Sequence, residues 1–485
     1  MSDPRFELAS HLVGAGVDQC REAIEAVRPV VRVGPGLSPA AGFAAAALVH
    51  MLARLHPHTT LEGNAELAHN PWDAIDVATA CDDAHLPRVE ATTAAARDIV
   101  FSVGADGPAD WWVGGGDWNV TLTAEPVRIE SVTTGLGLHA AACFAAAEAF
   151  KAALAPLGFV HVSVGPALIW NLLEHQNRTV GEPGGTFSAP PPIWWFGAGS
   201  VGSSSAALAL TLPVPGEADI VDPDTFDPAR NPYRYPASTP SVAGPKVLWL
   251  EQMLLDAGWE ATGHAGAVAD FVVSRDQPGY RGIVVSSVDR TDARADAADA
   301  LAATTLSAGV AGLALHTQRE HPDDDAACPY CQFLAAGSPV TQIQVYADVT
   351  GLALPRIARL LAGDRLTAED VTAACAAGRI RADDAAAFVD RRLEDLVRNA
   401  YAQAQVAVAE ADVLVSAPFV SWMAGTLLTG ELAKAAVGTP LVERRVDLDL
   451  SGRPTGAVRR LGRDTSGRCL CASPFRQRHA RRLYR

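Results

Sequence analysis

The sequence predicts an α/β chain of two strand–turn–helix units joined by a Pro/Gly-rich linker, with a helical insertion in the second unit. Three observations carry this. Short apolar runs alternate with longer Ala-rich stretches, the pattern of a parallel sheet with crossover helices. A buried strand running into a glycine turn and then a helix occurs twice. Residues 351–411 lack strand signals and read as amphipathic helices.

In the first unit, residues 29–36 (PVVRVGPG) read as a strand entering a glycine turn, followed by a helix over about 39–54. Residues 98–104 (DIVFSVG) read as a second strand and 138–154 as an apolar helix. Gly and Pro accumulate over 179–192, a linker composition. Beyond it, 193–197 (IWWFG) is a strand, 201–212 a helix, 218–222 (ADIVD) a strand and 282–289 (GIVVSSVD) a further buried strand. The domain boundaries that follow are 1–180, a linker at 181–192, and 193–485 with the helical insertion at about 345–411. Within the insertion, Thr367 stands where a helix N-cap belongs, and the segments at 354–363, 367–378 and 382–411 all carry helical patterning.

The two units share an internal repeat. Gly34-Pro35-Gly36 opens the first unit and Gly197-Ala198-Gly199 the second. Leu61-Glu62 through Asn70-Pro71-Trp72 parallels Val221-Asp222 through Asn231-Pro232-Tyr233, at nearly the same offset along the chain. Glu148-Ala149-Phe150-Lys151 matches Glu431-Leu432-Ala433-Lys434 late in each unit. A duplicated fold follows as the expectation.

Composition narrows the function. The 485 residues carry a formal charge of -16, which argues against non-specific nucleic-acid binding. The first dozen residues are charged where a signal peptide needs an apolar stretch, and no run of about 18 apolar residues is free of polar interruption. A soluble cytoplasmic protein with no membrane partner is expected. The eight cysteines are then thiols or metal ligands before they are disulfides.

Gly197-Ala198-Gly199-Ser200-Val201-Gly202 fits GxGxxG between a strand and a helix, the arrangement of a Rossmann-like unit. Glycines let backbone approach a phosphate, and the helix N-terminus offers N–H groups and a positive dipole end. Asp222 ends the next strand, at the distance past the glycines where a carboxylate accepts hydrogen bonds from ribose hydroxyls. These features fit a dinucleotide or ATP equally. The segment that follows, with Asn231, Arg234 and then Lys246 in Gly244-Pro245-Lys246, favours ATP, because cations there stabilise charge developing on phosphates. Asp289 ends the third apolar strand and Arg294 follows shortly after, a place for a carboxylate serving Mg²⁺ or the phosphate chain.

Cys328-Pro329-Tyr330-Cys331 and Cys469-Leu470-Cys471 lie far apart in the chain. Two close pairs supply four thiolates for a tetrahedral structural zinc. Their separation makes the site a staple between distant segments. A redox role for the first pair is the alternative.

Taken in order, GAGSVG, VDPDTFDPARNPYR, GPK, SSVDRTDAR, CPYC and RDTSGRCLC resemble the adenylation domain of the ThiF/MoeB and ubiquitin-activating enzymes, in a bacterial form, over residues 190–485 without the insertion. The resemblance implies an adenylyltransferase using ATP and Mg²⁺ with structural Zn²⁺. Gly197, Gly199, Gly202, Asp222, Asn231, Arg234, Lys246 and Asp289 would bind ATP, with Arg234, Lys246 and Asp289 carrying catalysis. Cys328, Cys331, Cys469 and Cys471 would hold the metal. The implied reaction is adenylation of the C-terminal carboxylate of a small ubiquitin-like or sulfur-carrier protein, with thioester transfer and a conjugating enzyme to follow. Adenylation of a ribosomal peptide in natural-product biosynthesis and a non-catalytic scaffold are the alternatives.

The family pairs two such units, so residues 1–180 read as a degenerate half in an internal pseudo-dimer, beside which a homodimer is also compatible. Glu62 takes the place of Asp222, nothing basic matches Arg234 or Lys246, and Arg5 is the counterpart of an arginine supplied across the pair. Ser200 and Arg290 depart from the family pattern. The stretch where a thioester cysteine is expected reads Ser338-Pro339-Val340-Thr341, which leaves Cys375, in the insertion, as the candidate acceptor.

Overall fold

The computed structural model describes residues 4–63, 97–130, 132–159, 161, 163–227, 231, 234–235, 243–322, 325–331, 346–347, 350–377, 379–380, 382–393, 396–397, 416–441, 445–454, 457–459, 461–464 and 469–484. Two units emerge, one from residues 1–334 with 415–485 and one from 335–414.

In the larger unit the chain begins with α1 (Pro4–Val13), α2 (Val17–Glu25), β1 (Val27–Val33), α3 (Pro39–Ala53), β2 (Thr60–Gly63), β3 (Arg97–Val103), β4 (Trp111–Gly115), β5 (Asn119–Thr123), α4 (Leu136–Leu154) and β6 (Ala167–Asn171). It continues with β7 (Ile193–Phe196), α5 (Ser200–Ala209), β8 (Glu217–Val221), α6 (Lys246–Asp256), β9 (Glu260–His264), α7 (Val268–Ser274), β10 (Ile283–Ser286), α8 (Thr291–Asp299), β11 (Thr304–Ala311) and β12 (Ala314–Glu320). After the helical unit, with α9 (Leu354–Leu361) and α10 (Ala368–Ala376), come α11 (Pro418–Ala436), β13 (Arg445–Asp449), β14 (Val458–Arg459) and α12 (Pro474–Tyr484).

The strands form two sheets, ordered β2-β1-β3-β4-β5-β6 and β14-β13-β12-β11-β10-β7-β8-β9. In the first, β2, β1, β3 and β4 run parallel, and β5 and β6 join antiparallel. In the second, β8, β7, β10 and β11 run parallel, and β12 and β13 join antiparallel. The order and directions of six strands are therefore the same in both sheets. The second adds one strand at each edge, β9 and β14. The expected parallel sheets are thus mixed. The parallel strands β7 and β10 are buried along their whole length and read as unbroken apolar runs. The antiparallel strands alternate, as in β13, where Val446 and Leu448 are buried and Arg445 and Asp447 are not.

One layer of helices holds the two sheets together. α3 packs on α4, α4 on α11, and α11 on α5. Residues 41–53 of α3, 201–209 of α5 and 418–434 of α11 are buried on every face. This explains their composition: a helix enclosed on all sides needs no polar stripe, and alanine lets neighbours approach. Aromatic contacts cross between the halves, with Phe43 against Trp422 at 6.0 Å and Phe150 against Phe419 at 5.9 Å. The Trp422 indole donates to His139 Nδ1 at 3.2 Å. Residues 136–157 are long and apolar enough to cross a membrane by composition, contrary to the sequence expectation, but most of that helix is buried in this layer.

The matched Glu–Lys motifs occupy equivalent places. Glu148 pairs with Lys151 on α4, and Glu431 with Lys434 at 2.5 Å on α11, all four buried. Burial raises the cost of these charges, so each sits within reach of its opposite.

The helical unit packs around Ile357, Leu360, Leu366, Val371, Leu393 and Leu396. Thr367 caps α10 as its sequence position suggests, accepting from the Asp370 amide, while Asp370 in turn takes the Arg356 guanidinium at 2.7 Å. The third expected helix begins instead as a 3₁₀ turn at Ala382–Phe388, and residues 398–415 lie outside the described set. The basic C-terminus is the helix α12, held by an Arg476–Asp299 ion pair and by the Tyr484 hydroxyl donating to the Tyr280 carbonyl at 2.9 Å.

Close packing of α5 on α11 depends on Gly425. A Cβ there would stand 2.7 Å from the Ser205 amide nitrogen and from Ser204 Cβ. Gly425→Ala is expected to cost about 1–3 kcal/mol of stability by overpacking, read as a lower midpoint in chemical denaturation. An unchanged midpoint would mean that the two helices do not hold each other this closely.

Candidate functional site

The site is built at the C-terminal ends of β7, β8 and β10, where the two central parallel crossovers diverge. Gly197 has a φ of +96°, a conformation that favours glycine. A Cβ on Gly202 would lie 2.0 Å from the Gly197 carbonyl oxygen, so the first turn of α5 can sit against the strand end only with glycine there. The Ser287 hydroxyl donates to that same carbonyl at 3.1 Å and fixes the turn to the end of β10. No side chain caps α5 at Gly199, which leaves its N-terminus open to an anion.

Asp222 follows β8 and closes the turn from the other side. Its Oδ2 accepts the Ala198 amide at 2.6 Å and its Oδ1 the Asp224 amide at 2.8 Å. Burial pushes its carboxyl above the usual aspartate range, and the two amides and Lys246 only partly offset that. Each carboxylate oxygen keeps a further lone pair for a ligand hydroxyl.

The chain then folds back so that basic groups face this turn. Asn231 organises the return: its side-chain oxygen accepts the Asp227 amide at 2.7 Å and its carbonyl accepts the amides of Arg234 and Tyr235. The Ser200 hydroxyl donates to the Arg234 carbonyl, which ties the loop to the first turn of α5. Lys246, the first residue of α6, is buried, and its ammonium donates to Asp224 at 2.8 Å. Burial pulls the ammonium down, but Tyr235, Asp224 and Asp222 outweigh it and hold the group above its usual value, so Lys246 is a fixed cation. Tyr235, which sequence reading overlooked, is buried beneath Lys246, its hydroxyl 3.7 Å from where a Gly199 Cβ would be. Nothing in a lone Tyr after Arg-rich sequence signals this.

Asp289 stands three residues past β10 and lines a cavity of about 480 Å³ together with Val201, Ser287, Arg294, Gly309 and His316. Arg290 turns away into an exposed fork with Asp292. Arg294 is buried, and burial lowers its guanidinium to about 10 despite the nearby Asp289. The structure thus groups Gly197, Gly199 and Gly202 with Asp222 and Lys246 around the start of α5, with the backbone of Asn231 and Arg234 tied to the same turn, while Asp289 lines the cavity beside Val201 and Ser287. An open helix N-terminus beside a fixed cation there suits an anion.

No protein-family model matches the chain, and no curated protein sequence does either. The fold is similar to that of MccB. Escherichia coli MccB with ATP is 14% identical, with a TM-score of 0.35, over 56% of this chain and 65% of that one. MccB, described as a microcin C7 biosynthetic enzyme, in complex with N-formylated MccA is 15% identical, with a TM-score of 0.35, over 57% of this chain and 66% of that one. This chain therefore spans just under two thirds of the MccB chains. A likeness of that size is too small to carry residues or activity across.

In the first half the described residues line a cavity at Arg97, Asp110, Glu148 and His161, by the start of β3 rather than at the strand ends that carry the second-half turn. In that half α3 is closed by its own Ser38, whose hydroxyl accepts the Ala41 amide, so the N-terminus that would meet a phosphate is already satisfied. The equivalence of Glu62 with Asp222 needs correction. Val33 pairs with Gly63 as Phe196 pairs with Val221, so Asp222 corresponds to position 64, outside the described residues, and Glu62 lies two residues earlier. Its carboxylate is taken by Arg32 at 3.0 Å. By the same register Asp106 stands three residues past β3 as Asp289 does past β10, a match the sequence reading missed. The side chain of Arg5, Cys81 and the segment Ser338–Thr341 also lie outside the described residues.

Cys375 sits on α10, half-buried against the core of the helical unit. Cys20 and Cys143 are buried, and burial raises both thiols.

The four paired cysteines converge as their spacing suggests. Ala327 donates to the Leu461 carbonyl at 2.8 Å, which brings the two segments side by side. The sulfurs of Cys328 and Cys331 are 3.7 Å apart, those of Cys328 and Cys469 3.5 Å, and those of Cys331 and Cys471 3.1 Å. All four lie within 4.8 Å of one another. A tetrahedron with Zn–S bonds of about 2.3 Å has S···S edges of roughly 3.8 Å, so the cluster fits zinc with small adjustment.

Two outcomes follow. Purified protein should contain one zinc per chain by elemental analysis, and Cys469→Ser with Cys471→Ser should abolish it and lower the melting temperature; metal retained in the double variant would contradict the assignment. Because the Asp222 carboxyl is raised, it takes up a proton as pH falls while ordinary aspartates are still ionised. Nucleotide affinity that depends on ionised Asp222 should weaken at higher pH than an ordinary aspartate would titrate, and Asp222→Asn should flatten the profile in calorimetric titration. A wild-type profile that matches Asp222→Asn throughout the acid range would exclude this role.

Proposed function

We propose that the second half binds MgATP in this crevice and adenylates the C-terminal carboxylate of a peptide or small protein. One observation carries the reading: a glycine turn clasped by Asp222 faces the Lys246 ammonium across an uncapped helix N-terminus. In the step, a carboxylate oxygen forms a bond to the α-phosphorus, the bond from that phosphorus to the bridging oxygen of the β-phosphate breaks, and pyrophosphate leaves with the electron pair. Asp222 takes the ribose hydroxyls. Arg234, Lys246 and the α5 N-terminus hold the phosphates and stabilise the charge that grows on them. Asp289 would hold Mg²⁺, which supplies further neutralisation of the triphosphate. Zn²⁺ at the four cysteines serves structure.

We place a ribosomal peptide first among acyl substrates and a ubiquitin-like or sulfur-carrier protein second. A resident thioester needs an accessible cysteine beside the acyl-adenylate. Among the described residues, Cys20 and Cys143 are buried, four cysteines form the cluster, and Cys375 is half-buried against the core of its own unit. A reaction that ends at the acyl-adenylate on this chain suits a peptide substrate.

The repeated strand order supports a pseudo-dimer in which residues 1–180 are a decayed copy, with Arg5 the arginine lent to the active half. Substrate-dependent exchange of pyrophosphate into ATP tests the reading. Lys246→Ala and Arg234→Ala should each lower exchange by about 10²–10³-fold. Exchange unaffected by either would sink it.

A further inference from the structure

The cavity beside Asp289 continues over part of a face of the second sheet, at Gly309 and His316, beyond which Ser307 and Gln318 on the same face are buried. In β11 to β13 one face packs on α11, where Ala308, Leu315, Val446 and Leu448 are buried. The opposite face presents Gly309, His316, Arg445 and Asp447, all partly exposed. Antiparallel strands tolerate such an open face, whereas the parallel strands beside them do not. The cavity therefore runs from the nucleotide crevice, at Val201, Ser287 and Asp289, outward to this polar floor.

Two features make it a built site. At the inner end lies Arg294, carried on α8, its Nη2 at 3.4 Å from the Ala308 carbonyl. Gly309 keeps the space in front of it open: a Cβ there would stand 3.3 Å from Arg294 Nη2 and 2.6 Å from His316 Cε1. At the outer end the Arg445 guanidinium forks onto Asp447, with Nε at 2.8 Å and Nη2 at 2.7 Å from Oδ1. His316 lies between the two arginines, and its burial, together with Arg445 and Arg294, holds it neutral, at about 3. The volume suits more than a bare diglycine, since pockets of about 300–1,000 Å³ enclose drug-sized ligands.

We propose that Arg294 binds the attacking terminal carboxylate of the substrate, and that the His316–Arg445–Asp447 floor receives its last side chains, selecting polar or acidic residues over cationic ones. This rests on the adenylation reading. A carboxylate beside an arginine fork is held by paired, charge-assisted hydrogen bonds, which fix its orientation as well as its position. Placing it next to Asp289 and the α5 N-terminus aligns one oxygen with the α-phosphate, where orientation contributes most to rate. The Arg294 guanidinium at the inner end repels a lysine or arginine placed there, while Arg445 is already paired with Asp447.

A synthetic peptide library randomised at its last three positions tests this, incubated with ATP, magnesium and hydroxylamine. Adenylated members are trapped as C-terminal hydroxamates and read by mass spectrometry, while binding of a fluorescent ATP analogue is followed separately. The wild-type protein should enrich Asp, Glu, Asn, Gln and Ser and deplete Lys and Arg at the last two positions. Arg294→Ala should lower hydroxamate formation at least 100-fold with the ATP analogue still bound, and Arg294→Lys should recover part of it. Gly309→Ala, which fills the floor without touching the crevice, should raise the peptide concentration needed and leave nucleotide binding unchanged. Hydroxamates formed equally by wild type and Arg294→Ala, or without tail preference, would overturn the inference and leave the adenylation reading intact. ATP binding with no hydroxamate from any peptide would overturn both.

Discussion

The Asp222 carboxylate is the clasp on which the crevice depends. It is held in a buried place by two backbone amides, one from the glycine turn and one from the loop that carries the cations. Those two bonds join the three parts that a nucleotide must meet: the turn after β7, the strand end of β8, and the returning segment with Arg234 and Lys246. The cost is visible in the raised carboxyl and in the uncapped N-terminus of α5. Both are groups that a ligand rich in hydroxyl and phosphate would satisfy. In the first half the same helix end is satisfied by Ser38 instead, and the neighbouring strand spends its carboxylate on Arg32. One strand order thus appears twice, with the helix after the first glycine turn capped by Ser38 and the helix after the second left without a side-chain cap.

The helical layer between the sheets gives the clasp its rigidity. α5 starts at the crevice and ends deep in the layer, where Ser205 and Thr429 bond across to α11. α11 leans in turn on α4 and its aromatic partners. The position of the glycine turn is therefore set in part by packing of α5 and α11 against the first half.

Much of this was legible in the sequence, for identifiable reasons. Glycines 197 and 202 stand where a left-handed backbone or a close carbonyl excludes a side chain, and Lys246 begins a helix directly behind a Gly-Pro turn. The paired cysteines announce themselves by spacing alone. What escaped reading depends on register and on faces. Glu62 stands 160 residues before Asp222, whereas the strand pairing sets position 64 against 222, an offset of 158, and on a strand a shift of two keeps the same face while moving the strand end, so Glu62 was misplaced. The Ala-rich helices have no polar stripe, which marks them as enclosed, but nothing in their composition says which helices enclose them. Gly309, His316, Arg445 and Asp447 come from three strands of an antiparallel edge. Only the pairing of Gly309 with His316 and of His316 with Asp447 brings them together.

If Asp222 is the clasp, one half alone is a nucleotide site. Calorimetric titration of the intact chain with ATP and magnesium measures this directly. A stoichiometry of one nucleotide per chain, lost in Asp222→Ala, is the predicted result. Two nucleotides per chain, or one that persists in Asp222→Ala, would contradict it.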